Sequence, residues 1–354
     1  SIDHEILLTK LEHYGIKDLM WFKNYLKDRK QFVAYNNDKS TVETIYTGIP
    51  QGSVLGPLLF LIFANDLNQH AGLCSVNLWA DDSIMYKSGQ SKEELYRIVQ
   101  SALNSISIWY SSNKLSLNIP KSLSMFITSP RAASNDNSDV LTIEGQPINT
   151  VDSTNYLGLE VDNHLTWGPH ILKMCSVINS KLYHLKQLSK FLPTNVLERI
   201  YLTYIQPYFD YASTIWGQAA DKYLNQLQRL QNRAARLITK EYDYINVRGL
   251  TIVQKLKWFN VKERIHYLTS VLMFKCVHNL VPNYISDSFN LMQEINDYNT
   301  RAANTKTLLL PPCRTKFYEG SLSYHGAKTW NDLPHTLRNQ DSIHDFKKLY
   351  HNVF

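Results

Sequence analysis

Apolar residues recur at helical spacing from the start of the chain. Ile6, Leu7, Leu11 and Tyr14 fall on one side of a 3.6-residue repeat over 3–14, and Gly15 ends it. A second helix is predicted over 19–26. Residues 31–47 change to a β-like pattern, with Phe32, Val33 and Tyr35 before an Asn36-Asn37-Asp38 turn and Val42, Ile45 and Tyr46 after it. Residues 48–57 form a Gly/Pro-rich loop that feeds an apolar helix ending near Leu67. Residues 73–80 and 83–87 read as two strands joined at Asp81-Asp82. Ser91-Lys92-Glu93-Glu94 is a capping box opening a helix with apolar positions Leu95, Ile98, Val99, Ala102, Ile106 and Trp109. A strand region is predicted over 115–128, a polar aperiodic loop over 129–139, and short strands over 141–167. Beyond Pro169 the pattern is helical, with candidates at 171–190, 194–206, 221–240, 251–280 and 341–351.

These elements give an α+β first part, to about residue 168, followed by a mostly helical second part. Charge follows the same division. Of the 37 Lys+Arg and 31 Asp+Glu, residues 1–170 hold 13 and 18 (net −5), and residues 171–354 hold 24 and 13 (net +11). Such asymmetry points the second half towards a polyanion. The longest apolar run, 58–64, is far below the roughly 18 residues a membrane span needs, so no membrane contact is expected. The four cysteines show no CxxC or zinc-finger spacing, which argues against a disulfide framework and fits a reducing intracellular compartment. The chain opens on Ser1 inside a helical pattern, so further sequence is expected upstream.

Three short segments carry candidate chemistry. The first is Asp81-Asp82, two acids between the apolar runs Leu78-Trp79-Ala80 and Ile84-Met85-Tyr86. An isolated acidic pair is ordinarily just a turn. A hairpin tip, however, would present two carboxylates, the hard oxygen ligands magnesium prefers and two-metal phosphoryl transfer requires. The second is Gly48-Ile49-Pro50-Gln51-Gly52-Ser53-Val54-Leu55-Gly56-Pro57. Its glycines permit close backbone approach, and its entry into a helix offers free N–H groups to a nucleotide. Gln51 has no evident structural duty there. The third is Leu117-Asn118-Ile119-Pro120-Lys121-Ser122, where Lys121 could protonate or neutralise a departing pyrophosphate.

GIPQGSVLGPLLF, WADD and LNIPKS, in that order, resemble motifs B, C and D of reverse transcriptases, most closely the non-LTR (LINE) branch of the jockey and CR1 kind. Tyr156-Leu157-Gly158 resembles the primer-grip hairpin, and Arg229-Leu230-Gln231-Asn232-Arg233 and Trp330-Asn331-Asp332-Leu333-Pro334 resemble the C-terminal region. The resemblance implies a polymerase palm with a small antiparallel sheet and backing helices over 1–168, carrying motifs B to E. A helical, basic, thumb-like and C-terminal region over 169–354 would follow. It implies RNA-directed DNA synthesis with magnesium, an RNA template, a DNA primer or target, and dNTPs, in the nucleus at the point of integration. Asp81 and Asp82 would be catalytic metal ligands. Pro50, Gln51 and Gly52 would line the nucleotide and template pocket, and Lys121 would act near the pyrophosphate. Trp79 stands where the family usually has Tyr or Phe. The family's first catalytic aspartate, in motif A, would fall upstream of Ser1, so little polymerase activity is expected from this chain alone.

In the basic half, Leu224, Leu227, Leu230, Ala234, Leu237 and Ile238 share one face of a predicted helix. Arg229, Arg233, Arg236 and Lys240 fall opposite, as a cationic stripe able to track a phosphate backbone. Lys255, Lys257, Lys262 and Arg264 surround Trp258 and Phe259, a mixture that suits either stacking or a core. A decayed or host-retained relic that only binds nucleic acid remains open as the competing reading. A viral RNA-dependent polymerase fits less well, since Ala80 stands where a glycine is usual.

Overall fold

The computed structural model describes residues 2–129, 140–292 and 306–353. Most of the predicted polar loop at 129–139 thus lies outside the described residues. The architecture is mixed α+β, with helices dominating and the strands confined to small two-stranded ladders. The chain divides into two compact units. One runs to Phe126 and includes a return segment ending at Asp152; the other takes a short piece from Ile127 and everything from Ser153.

In the first unit, α1 (His4–His13) and α2 (Leu19–Leu26) pack against α3 (Gly56–Ala64). Asp3 caps α1 by accepting from the Glu5 and Ile6 amides, both at 3.1 Å, and ion-pairs with Lys114 at 2.7 Å. Leu7, Leu11, Leu26, Leu59 and Phe63 form the buried centre. Between α2 and α3 runs an arm built of β1 (Lys30–Gln31), β2 (Ala34–Tyr35), β3 (Asp38–Lys39) and β4 (Glu43–Thr44). In it β1 pairs with β4 and β2 with β3. After α3 a 3-10 stretch, Asn65–His70, leads to β5 (Ser75–Trp79) and β6 (Asp82–Tyr86). The long helix α4 (Lys92–Ser112) closes this part, its N-terminus capped by Ser91. Lys10 ties the pieces together. Its ammonium donates to the Phe63 carbonyl at 2.6 Å and to Asp66 at 2.8 Å, and lies over the Trp109 ring.

The region 115–128 is less regular than its apolar content predicts. It holds a 3-10 turn (Ile119–Lys121) and the short β7 (Leu123–Ser124), because Pro120 has no N–H for a ladder. The strands β8 (Thr142–Ile143), β9 (Gln146–Pro147) and β10 (Asn149–Thr150) follow, with β10 parallel to β7.

The second unit begins with the hairpin β11 (Ser153–Tyr156) and β12 (Leu159–Asp162). Asp162 is buried and organises the turn after it, accepting from the His164, Thr166 and Trp167 amides. The change from strands to helices comes at α5 (Gly168–Leu188). Packing nevertheless groups β11 and β12 with the helices, since Leu159 belongs to their core. That core joins α5, α6 (Thr194–Ile200), α7 (Gln206–Asp210), α8 (Ser213–Trp216), α9 (Asp221–Thr239) and α11 (Val261–Val277). Between α6 and α7 the chain makes a π-turn over Tyr201–Ile205, with the Gln206 amide reaching the Tyr201 carbonyl. Pro207, lacking an N–H, accounts for the interrupted ladder.

The predicted helix at 251–280 is two helices, α10 (Gly249–Lys255) and α11. Lys257 takes a left-handed φ of 57°, and Asn260 starts α11 with a reciprocal cap to Glu263, so the chain turns where the apolar period runs on. Trp258 stacks on Tyr201 at 4.3 Å and donates to Glu198; Phe259 packs against Tyr267 and His351. Both aromatics are core, not a stacking surface. A second core joins α11 to α14 (Ala327–Asn331), α15 (His335–Arg338) and α16 (Ile343–Val353) around Phe274, Trp330, Phe346 and Tyr350. Between them lie α12 (Asn283–Ser286) and α13 (Lys316–Glu319). No described helix is long and apolar enough to cross a membrane.

Candidate active site

The β5/β6 hairpin is two-sided by construction. Strand alternation puts Val76, Leu78 and Met85 on the face that packs against Ala102, Ile106 and Trp109 of α4. The opposite face carries Asn77, Trp79, Asp82, Ile84 and Tyr86, with Trp79 and Tyr86 more than half exposed. The acidic pair does not sit together on the turn, as the sequence suggests. Trp79 pairs with Asp82, so the two-residue turn is Ala80-Asp81. Ala80 adopts a φ of 52°, a left-handed conformation that costs a non-glycine residue energy. Asp81 therefore stands at the turn, and Asp82 opens β6 on the open face.

Both carboxylates are exposed and make no hydrogen bond or ion pair among the described residues. Their four oxygens are hard donors free to take a divalent cation. No third acid, histidine or cysteine joins them in a cluster among the described residues. Two carboxylates suit magnesium, which commonly takes one or two protein carboxylates and fills its other positions with water and substrate phosphates.

The Gly/Pro loop is built from its ends. The Gly48 amide donates to the Ile2 carbonyl at 2.7 Å, and the Gly48 carbonyl contacts Nε2 of His4 at 2.7 Å. Gly48 and Gly52 have φ values of 92° and 75°, which only glycine adopts readily. Ser53 closes the turn. Its hydroxyl donates to the Pro50 carbonyl at 2.7 Å and accepts from the Gly56 amide at 3.0 Å, at the first residue of α3. Gln51 and Gly52 are exposed, Pro50 half-buried, and Gln51 has no hydrogen bond among the described residues. Lys121 is exposed at the end of its 3-10 turn, separated from β7 by Ser122.

The acidic hairpin, the Gln51 turn and Lys121 thus share one unit. No hydrogen bond or ion pair joins them among the described residues. Their connection is through the scaffold: α3 grows from the loop, and the 3-10 stretch that continues it packs on both β5 and α4.

The cationic stripe is corrected by the structure. Arg229 and Arg233 are exposed on α9, Arg233 donating to Asn179 at 3.1 Å. Lys240 is exposed but caps the helix with a φ of 58°. Arg236 is buried, at 6% exposure. Its guanidinium donates to the carbonyls of Glu241, Asp243 and Val247 and lies under the Tyr244 ring. The helical wheel missed this because the chain folds back over that face after Lys240. The glycine-free turn 241–247, with Asp243 ready to accept from following amides, was the available signal.

A family model described as reverse transcriptase (RNA-dependent DNA polymerase) matches residues 1–161. Residues 1–161 belong to the reverse transcriptase family. Relatives in Drosophila melanogaster extend the similarity past the matched domain. A protein named probable RNA-directed DNA polymerase from transposon BS is 30% identical over 289 residues, covering 75% of this chain and 30% of that protein. One named probable RNA-directed DNA polymerase from transposon X-element is 29% identical over 252 residues, covering 69% and 27%. The RNA-directed DNA polymerase from mobile element jockey is 25% identical over 292 residues, covering 79% and 31%. These relatives mark a reverse transcriptase of the non-LTR retrotransposon type. The chain spans less than a third of the length of each. The family match contains the hairpin, the Gln51 turn and Lys121, and the similarity to the mobile-element proteins reaches into the helical unit.

Proposed function

We propose that this chain carries the nucleotidyl-transfer centre of an RNA-directed DNA polymerase, with residues 1–168 as its palm and 169–354 as a helical region that holds nucleic acid. The observation that carries this reading is the hairpin: two carboxylates without a partner among the described residues, at the free end of a ladder whose other face is fixed on α4. Asp81 and Asp82 would hold divalent cations, most simply magnesium. When bound, these would activate the primer's terminal hydroxyl and stabilise charge as it attacks the α-phosphorus of a dNTP and pyrophosphate leaves.

The chain's own residues have simpler tasks. Asp81 and Asp82 fix position on a hairpin that cannot tilt without exposing Leu78 and Met85. The turn at Pro50, Gln51 and Gly52 brings unhindered backbone to the incoming nucleotide and its template base. Lys121 neutralises, or donates a proton to, the departing pyrophosphate. Arg229, Arg233 and Lys240 contact the phosphates of the RNA template and DNA primer.

The test is photocrosslinking of bromodeoxyuridine triphosphate to the chain, with and without magnesium. The expected result is a magnesium-dependent crosslink that Asp81→Asn and Asp82→Asn each reduce at least tenfold. Crosslinking indifferent to magnesium and to both substitutions would remove the reading.

A further inference from the structure

The arm between α2 and α3 buries nothing. Every residue from 27 to 44 is exposed, including Phe32, Val33, Tyr35 and Val42, each at least half exposed. A two-stranded hairpin alone in water is marginally stable, so an arm with apolar side chains on both sides calls for a contact beyond its own unit's core.

Its register sorts the side chains into two unlike faces. Lys30 pairs with Thr44, Gln31 with Glu43, and Ala34 with Lys39. Between these pairs, two residues (32 and 33) oppose three (40, 41 and 42), so one extra residue makes a bulge. The Ser40 amide donates to the Val33 carbonyl at 2.9 Å, which places the extra residue at Thr41. Alternation then sets Lys30, Phe32, Val42 and Lys39 on one face. Gln31, Val33, Tyr35, Asp38 and Glu43 fall on the other. The Lys39 ammonium lies 5.4 Å from the Phe32 ring centre, in agreement with the first grouping. One face is therefore aromatic and cationic with no acid; the other holds both strand carboxylates.

We propose that the Lys30–Phe32–Lys39 face of this arm is a single-stranded nucleic-acid contact, with Phe32 stacking on a base and the two lysines meeting the flanking phosphates. Charge complementarity selects this occupant. A stacking ring between two ammonium groups matches a base between two phosphates, whereas the acidic face would repel the same strand. The contact rests on the polymerase reading above and adds to it a binding surface made of residues other than the carboxylates, the Gln51 turn and the α9 arginines.

The test is fluorescence anisotropy of a labelled uridine oligonucleotide against the full chain over a range of salt. The expected result is at least tenfold weaker binding for Lys30→Glu/Lys39→Glu, with the salt slope reduced by about 1.4 for two lost phosphate contacts. Phe32→Ala should weaken binding about tenfold, and Asp38→Asn/Glu43→Gln should not weaken it. All these positions are exposed, and unchanged circular dichroism serves as the folding control. If the arm variants bind like wild type while Arg229→Glu/Arg233→Glu weakens binding, the arm is no site and the polymerase reading stands. Absence of binding by the wild-type chain itself would sink both. Arm variants that lose self-association in sedimentation but keep oligonucleotide affinity would assign the face to a second copy of the chain, and would overturn the proposal.

Discussion

Asp82 stands directly across the ladder from Trp79, so the carboxylate and the indole open onto the same uncovered side of the β5/β6 hairpin. This pairing separates the duties of the two acids. Asp81 depends on the turn for its position, whereas Asp82 is placed by a strand that Met85 fixes against α4. Moving the turn by one residue would send Asp82 to the α4 side, into an apolar core.

Ala80 supports this register from the turn. Ala80→Gly removes the cost of a left-handed φ while leaving every ladder hydrogen bond possible. It should raise stability by up to about 1 kcal/mol, with the melting temperature as the readout. A fall in stability would mean that the Ala80 methyl makes a contact the turn requires.

The glycine loop should be intolerant at its entry. Gly48 combines a φ of 92° with a bond to the Ile2 carbonyl. Gly48→Ala should cost about 1–3 kcal/mol in denaturant unfolding and loosen the loop. The same substitution at Gly15, whose φ is also positive but which lies exposed after α1, should leave nucleotide crosslinking unaffected. Equal loss of crosslinking at both positions would show a general folding defect rather than a role for the loop.

The arginines of α9 should behave in opposite ways. Arg236→Ala removes a buried guanidinium that satisfies three carbonyls, and should destabilise the second unit by about 2–4 kcal/mol. Arg229→Glu/Arg233→Glu should leave the melting temperature nearly unchanged. It should weaken RNA binding and flatten its dependence on salt. If Arg236→Ala is stable and loses RNA affinity, the guanidinium faces solvent and the corrected stripe is wrong.

Much of this was legible in the sequence. Periodicity located α1, α2, α4, α5, α9 and α16, because each has a continuous apolar stripe, helped at α1 and α4 by the capping side chains of Asp3 and Ser91. Asp81 and Asp82 draw attention because they interrupt two apolar runs, whereas the roles expected of them, of Gln51 and of Lys121 come from the resemblance of their segments to reverse transcriptase motifs. What periodicity could not supply was long-range. Arg236 looks solvent-facing until the 241–247 turn is seen to fold over it. The break before α11 is invisible while Trp258 and Phe259 continue the apolar pattern. The pairing of Asp82 with Trp79 depends on a left-handed alanine, which composition does not announce.

The second core should weaken on acidification. Burial pushes His266, His278, His325 and His351 below the usual histidine range, with the Lys306 charge adding to the effect at His278. The unfolded chain therefore takes up protons first as pH falls below about 6.5, and stability rises with pH in that window. Thermal unfolding followed at Trp330 should show a melting temperature that is flat above pH 7 and declines towards pH 5. A profile flat through that range would mean that these imidazoles titrate alike in both states.

The central proposal is that Asp81 and Asp82 hold a divalent cation beside a nucleotide that the Gln51 turn also contacts. Ferrous iron in place of magnesium, with ascorbate, a dNTP and a primer–template, cuts the backbone wherever the metal sits. The account predicts cuts around residues 80–83 and within 50–53, both lost in Asp81→Asn/Asp82→Asn. Cuts confined to other segments, or unchanged by that double substitution, would contradict it.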